Sequence, residues 1–381
     1  MKILHLSDLH LGKRVLGFSM IEDQKYILNE IIEILDKQKI TTVIIAGDVY
    51  DKPVPSAEAV ALFDEFLVNL SQRDVNVFVI SGNHDSPERI AFGEKLMQKS
   101  HVYMSPVYAG KTEAITLEDD YGKINFYLLP FIKPVHVRHF FEVEGIENYT
   151  DAMACVISHM NINKDERNVL VCHQFVTGAT RSESEEISVG GLDNVDVSVF
   201  EPFDYVALGH IHGPQNIGSE RIRYCGTPLK YSFSEAEHCK SVTIVELKEK
   251  GTMSLESIPL VPLRDMIKIK GLFETVTDKT FCETVDTDSY VQVTLLDEWD
   301  IPNAFGKLAT VYPNLMQMRY ENRRTSGSQD IISEEDNPEM KPTELFAHFF
   351  ELMNNQPLTK AQEEYMCEQI EAIWGINDET C

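Results

Sequence analysis

The chain opens as a series of short apolar runs separated by segments with helical spacing. Runs rich in β-branched residues occur at 3–6, 43–46, 77–80, 126–129, 169–172, 205–208 and 242–245. They are continuous rather than alternating, as expected of strands buried on both faces. Between the first two runs, Leu28, Ile31, Ile32 and Leu35 stand at i, i+3, i+4 and i+7, which predicts an amphipathic helix. Val60, Phe63, Leu67 and Leu70 predict another before the third run. The alternation predicts a layered α/β domain over residues 1–258.

The pattern changes near Pro259 and Pro262. Strand-like segments at 266–271 and 290–295, a helix from 302 to about 311 and a short strand near 316–320 predict a small α+β domain over 259–325. Residues 326–342, rich in Ser, Gly, Asp, Glu and Pro, read as a linker. The tail, 343–381, reads as helical. Thr359 and Gln362 have the spacing of a capping box, and Leu345, Phe346, Phe349, Phe350, Leu352 and Met353 crowd an apolar face onto the preceding helix.

At 381 residues, with 43% hydrophobic and 25% charged residues, the chain is neither disordered nor of low complexity. The longest apolar runs fall well short of the roughly 18 residues of a membrane span. The first residues already read as a strand entering a polar loop, so no leader peptide is expected. The seven cysteines are scattered and none forms a Cys-x-x-Cys pair. That argues against structural zinc or a disulfide framework and for a reducing cytoplasm. The formal net charge of −27 excludes a broadly basic nucleic-acid-binding coat, though not a local basic groove or a partner that supplies one.

Five polar segments close predicted strands: Asp8-Leu9-His10, Gly47-Asp48-Val49-Tyr50-Asp51, Gly82-Asn83-His84-Asp85, His173 and Gly209-His210-Ile211-His212. Open α/β sheets place their sites at such ends, so the five are expected on one sheet edge. Asp8, Asp48, Asn83, His10, His173, His210 and His212 are too many donors for one ion and suit two. Mixed N/O ligation fits Mn, Fe or Zn. Two ions about 3.5–4 Å apart clamp a phosphate and activate a water. His84, next to Asn83 but facing the other way in extended backbone, is free to meet substrate as donor or general acid, with Asp85 to orient it. The two histidines of Gly-His-x-His point to the same side of a strand. Glycines before Asp48, Asn83 and His210 let the backbone turn and leave room for ions. Taken singly, Asp-x-His reads as a solvated loop, Gly-Asp-x-x-Asp as a capped turn and His173 as a structural histidine. Five such segments in one order, each at a strand end, point to a site.

The ordered set resembles the calcineurin-like metallophosphoesterase superfamily. The segments Ser7–Lys13, Ala46–Asp51, Ser81–Arg89 and Cys172–Phe175 resemble its SbcD-type nuclease subunits. The resemblance implies a two-sheet sandwich flanked by helices, a capping domain over 259–325 and a partner-binding tail. It implies that Asp8, His10, Asp48 and His212 hold one metal, and that Asp48, Asn83, His173 and His210 hold the other, with Asp48 as bridge. Manganese is the implied ion, and His84 acts on the phosphate without being a permanent ligand. Cys172 stands where many members have glycine. The implied activity is ATP-dependent double-strand exonuclease, single-strand endonuclease and hairpin opening in DNA repair, recombination and replication. The implied partner is an SbcC-like coiled-coil ATPase docked on the C-terminal helices, with DNA ends and hairpins as substrate; apolar residues on the helices after Asp51 and Arg89 are candidates either for a homodimer face within the complex or for core. Lys13, Arg14, Lys52 and Arg89 stand near the metal motifs as candidate DNA contacts. A phosphatase of small molecules or phosphoproteins on the same fold, and a scaffold with a dead site, are the rival readings. The complete ligand set counts against the scaffold.

Overall fold

The computed structural model describes residues 1–141, 145–182, 185, 194–322, 342–354 and 356–374. Two compact units divide at Asp265/Met266.

The first unit holds two six-stranded sheets. One runs, in spatial order, Met253–Pro259, Ser241–Leu247, Lys2–Leu6, Thr42–Ala46, Asn76–Ile80 and Val102–Met104. Its last four strands are parallel and the first two are antiparallel additions. The other runs Gln215–Ile217, Ser219–Tyr224, Tyr205–Gly209, Arg167–His173, Gly122–Leu129 and Ala114–Asp119, again with four parallel strands in the middle.

The continuous apolar runs are explained by two separate cores. Alternate residues of each strand face the other sheet: Ile44, Phe78 and Val245 meet Phe126, Val169 and Ala207 in one cluster. Phe78 and Phe126 stack with ring centroids 4.3 Å apart. The remaining residues face outward onto helices. On the second sheet Leu129, Leu170, Cys172 and Leu208 pack with Met153 and Val156 of the helix Tyr149–Ser158. On the first sheet the helices Ile21–Gln38 and Ala57–Ser71 bury the predicted stripes, including Leu28, Ile31, Phe63 and Leu67, except that Val60, expected on the second stripe, is exposed and Ala59 takes the inward place. Ser56 caps the latter through Ala59 N–H. This unit runs on past residue 258, where the sequence placed the change. Val261 N–H donates to Glu30 and Arg264 pairs with Asp23 and Glu22, which fasten 259–265 to the first helix.

The second unit begins with a three-stranded parallel sheet of Met266–Gly271, Tyr290–Leu295 and Leu315–Tyr320. The expected α+β domain therefore has parallel crossovers. Each connection carries helix, Phe273–Val276 and Lys279–Cys282 in one and Ala304–Val311 in the other, which gives it the length a parallel pairing needs. Val276, Val293, Leu308 and Tyr312 form its core.

The linker expected at 326–342 lies, but for Pro342, outside the described residues. The tail forms the helices Pro342–Asn354 and Lys360–Trp374. Gln362 Oε1 accepts from both the backbone N–H and the hydroxyl of Thr359, so the side-chain arm of the predicted box is made. Of the predicted apolar face, Phe346 and Phe350 lie against each other, and Phe349 is 56% exposed. The side chains of Leu345, Leu352 and Met353 lie outside the described residues.

Candidate active site

The five polar segments meet, but across two sheets rather than on one edge. Asp8/His10, Asp48 and Asn83/His84 follow the strands Lys2–Leu6, Thr42–Ala46 and Asn76–Ile80 of the first sheet. His173 and His210 stand at the ends of Arg167–His173 and Tyr205–Gly209 of the second. The site thus caps the carboxyl ends of parallel strands from both layers.

Backbone geometry brings the donors together. Asp8, His10, Asp48 and His210 have φ values of +53°, +45°, +50° and +101°. Such values are uncommon outside glycine and cost about 1–3 kcal/mol each. They persist because hydrogen bonds over-determine them. Asp8 N–H donates to Gly47 O and His10 N–H to Asp48 O, at 3.0 and 2.9 Å. His210 N–H donates to the Asp8 carboxylate at 3.0 Å. The strand ends at Gly209, so His210 and His212 reach the site through this turn and not by strand alternation. The glycines serve close packing as much as turning. Only Gly47 of the three has positive φ. A Cβ on Gly82 would sit 2.1 Å from Asp48 Oδ1, and one on Gly209 would sit 1.9 Å from Ala46 O.

Two donor groups result. His10 Nε2 and His212 Nε2 are 3.2 Å apart, and Asp8, His10 and His212 offer atoms within 4.8 Å of one another. Asn83 Oδ1 lies 3.0 Å from His173 Nε2 and 2.9 Å from His210 Nδ1. Asp48 lies between the groups: its Oδ2 is 3.8 Å from His10 Nε2 and 3.4 Å from His173 Nε2. The tautomers point the right way. His173 Nδ1 lies 2.8 Å from Ala46 O, and His212 Nδ1 is 3.5 Å from Glu235 Oε1. Protons held on those nitrogens leave both Nε2 lone pairs to a cation. His10 Nδ1 is buried with no hydrogen-bond partner among the described residues and faces the Asp51 carboxylate at 3.9 Å, so its ring makes its closest polar contacts through Nε2.

Electrostatics agree. Burial, and then repulsion from His173, holds His210 down at about 3; burial also holds His10 well below its ordinary range. Both imidazoles are thus neutral, the form that ligates. Burial opposes charge on Asp48 and on His173, yet their mutual attraction prevails, holding the carboxyl well below the usual range and the imidazole above it. Burial pushes Asp8 and Asp85 up. The neutral His10 and His210 nitrogens, the Asp48 carboxylate and the Asn83 amide oxygen fit a pair of divalent cations, and a cation beside Asp48 would take the place of the proton that the carboxylate holds on His173.

His84 is placed differently. Its backbone N–H donates to Asp48 Oδ1 at 2.9 Å, while its ring is 21% exposed with Nε2 4.0 Å from Asp48 Oδ2. Asp85 does not touch that ring. Its carboxylate accepts from the backbone N–H groups of Val49, Tyr50 and Gly82. It ties the Asp48 loop to the Asn83 loop, and the Asp51 carbonyl, 3.2 Å from His84 Nδ1, orients the imidazole instead. Among the candidate DNA contacts, Lys13 is committed to Asp51 at 2.7 Å, whereas Arg14, Lys52 and Arg89 are exposed.

Sequence reasoning missed the supports. Gln24 Nε2 donates to His10 O and Tyr231 OH to Leu9 O, fixing the Asp8–His10 turn. Gln24 lies on the buried face that carries Leu28 and Ile31, and a polar residue on that stripe was the available signal. Glu235, fully buried, accepts from Lys240 at 2.5 Å and faces His212, and no spacing announces it. Glu235→Gln is expected to weaken divalent-cation affinity about 10–100-fold. By stranding the Lys240 charge it should also cost about 3–5 kcal/mol of stability. Calorimetric titration and thermal unfolding check the two. Unchanged affinity would remove Glu235 from the site.

Comparison with known proteins follows the same lines. The calcineurin-like phosphoesterase family matches residues 1–214, and a family described as the type 5 capsule protein repressor C-terminal domain matches residues 262–354. The SbcD subunit of the SbcCD nuclease of Staphylococcus saprophyticus is 34% identical over 84% of this chain and 84% of its own length. The protein of the same name from Staphylococcus epidermidis is 30% identical over 96% of each chain. A dimetal phosphatase from Danio rerio superposes with a TM-score of 0.41 at 13% identity, covering 69% of this chain and 98% of that chain. On the matches of sequence, the chain belongs to the calcineurin-like phosphoesterases, in the family of the SbcD nuclease subunits.

Proposed function

We propose that this chain is the nuclease subunit of an SbcCD-like complex, hydrolysing DNA phosphodiesters with two manganese ions. The observation that carries the proposal is the convergence of six N/O donors around Asp48 from both sheets, beside one partly exposed imidazole. Two divalent cations supply charge neutralisation and an activated water when bound. Asp8, His10, Asp48 and His212 would hold one, and Asp48, Asn83, His173 and His210 the other. His84, with Nδ1 against the Asp51 carbonyl, turns Nε2 toward the substrate. As imidazolium it donates to a phosphoryl oxygen or gives its proton to the leaving alkoxide. Asp85 positions the two loops.

Charge supports a partnered enzyme. With a net charge of −27, tight binding to duplex DNA needs positive charge from elsewhere. Arg14, Lys52 and Arg89 supply part of it, and an SbcC-like coiled-coil ATPase on the tail supplies the rest. Phe349→Asp in the exposed face of the first tail helix is expected to abolish co-purification with that ATPase while hydrolysis of an aryl phosphodiester persists. Retained co-purification would place the partner elsewhere. Val60, Val68, Phe92 and Leu96, all exposed, form the proposed face for a second copy. The setting is cytoplasmic, in DNA repair, recombination and replication, with ATP-dependent digestion of double-stranded ends, nicking of single strands and opening of hairpins.

The test is hydrolysis of a labelled hairpin duplex with manganese, with and without the ATPase and ATP. Manganese-dependent cleavage that rises with partner and ATP supports the reading. Brisk turnover of small phosphate monoesters with intact DNA would replace it by a phosphatase.

A further inference from the structure

A cavity opens beside the metal donors, with a volume of about 540 Å³. That is within the range of about 300–1,000 Å³ of small-ligand pockets and far above the roughly 30 Å³ of a water. Its walls are Tyr108, Phe131, His136, His139 and Phe140, with Pro87 at the rim. Two of these walls are anchored to the site. Phe131 N–H donates to Ser81 O at 2.9 Å, just before Asn83, and the Phe131 ring stands edge-on to His173 with centroids 6.2 Å apart. Pro87 begins the short helix that follows His84 and Asp85. Gln174, next to His173, donates to Ile132 O. The cavity and the donor set therefore share one rigid frame.

The lining is flat and aromatic with polar edges. Tyr108 and Phe140 meet at 86° with centroids 5.7 Å apart, and His139 meets Phe140 at 78°. Phe140 remains 43% exposed and Val135 56% exposed, so the apolar wall is open to an incoming group. The Tyr108 hydroxyl is sheltered from solvent yet has no hydrogen-bond partner among the described residues, an exception that calls for a cause. Burial, with Lys133 nearby, lowers His136 below its ordinary range, so its ring is neutral and suited to stacking. Among the described residues neither Lys nor Arg lines the cavity and Glu88 does, so it is not built for phosphate.

Resting on the nuclease reading, we propose that this cavity takes the nucleobase of the nucleotide next to the scissile phosphate. The phosphate sits at the donor set, and the adjoining base turns off the strand onto Phe131 and Phe140. Aromatic faces hold any base by stacking, with little sequence preference. A base still paired in a duplex cannot enter, so the cavity selects single-stranded, frayed or hairpin-loop nucleotides.

The test uses the full chain with manganese and a single-stranded oligonucleotide cut at one labelled phosphate. An abasic residue is placed on one side of that phosphate and then on the other. One of the two positions is expected to raise KM about 10-fold, and the other to change it little. Phe140→Ala should raise KM for the intact strand to the abasic value. Tyr108→Phe, which keeps the ring, should raise it roughly 2- to 10-fold. A 2-aminopurine at the sensitive position should be quenched on binding to the wild type and not to Phe140→Ala, independently of hydrolysis. Equal KM values for intact and both abasic strands, with 2-aminopurine unquenched, would overturn the cavity assignment and leave the nuclease standing. Failure to cut any strand, with small phosphate esters turned over, would overturn the nuclease reading and this assignment with it.

Discussion

Replacing Asp48 by alanine is expected to strip the protein of both divalent cations and leave DNA hydrolysis at background. Asp48 stands between the two donor groups, within 4 Å of His10, His84 and His173. Removing it takes a ligand from both ions at once. The loss of affinity should therefore exceed the roughly 100-fold that losing a mere supporting partner costs. A second effect follows from the charge. The His173 imidazole owes its raised pKa chiefly to attraction by Asp48, working against burial. Without that carboxylate a fully buried imidazole must give up its proton or unbalance the site, so the metal-free variant should also unfold more easily. Metal content by mass spectrometry after dialysis against manganese, read beside a thermal melt, checks both. Two ions per chain retained in the alanine variant would remove Asp48 from the bridge.

His84→Ala is expected to behave in the opposite way, keeping its metals and losing its turnover. The contact between residue 84 and the bridge is made by the backbone N–H, 2.9 Å from Asp48 Oδ1, and alanine keeps that donor. What alanine removes is the exposed ring. A positioned acid or donor contributes about 10²–10⁴-fold, and kcat on DNA should fall by that order with metal content unchanged. His84 also stands in one cluster with His10 and Asp48 that is close enough to hold an ion. If the alanine variant loses an ion together with its activity, His84 is a ligand and the acid must be sought elsewhere. Asp51→Ala keeps the carbonyl that orients the ring, so it should spare His84 and release Lys13 instead.

Much of the fold was legible in the residues. Continuous apolar runs located the strands because strands buried on both faces leave no polar position, and the observed bounds enclose every predicted run. Short polar segments behind those runs supplied the residues that converge at the site, because chain direction alone puts such residues at carboxyl ends. His84 was distinguishable from Asn83 by its place in the segment. The tail's capping residues and crowded aromatics were equally visible, because helix signals are local.

Other features were invisible for the opposite reason. Nothing in the runs tells which strands share a sheet, since both layers are equally apolar. Only packing decides that Phe78 stacks on Phe126 and that the site spans two sheets. Asp85 reads as a partner for its neighbour His84, yet the amides of Val49, Tyr50 and Gly82 claim its carboxylate. Lys13 reads as a free cation until the fold sets Asp51 against it. Glu235 carries no spacing signal, because its link to His212 and Lys240 exists only across a folded loop. The residues in their order establish which chemistry is present and at which strand ends it stands. Which donors face each other emerges only in the folded chain, because angles and distances among segments far apart in sequence are set by packing rather than by local pattern.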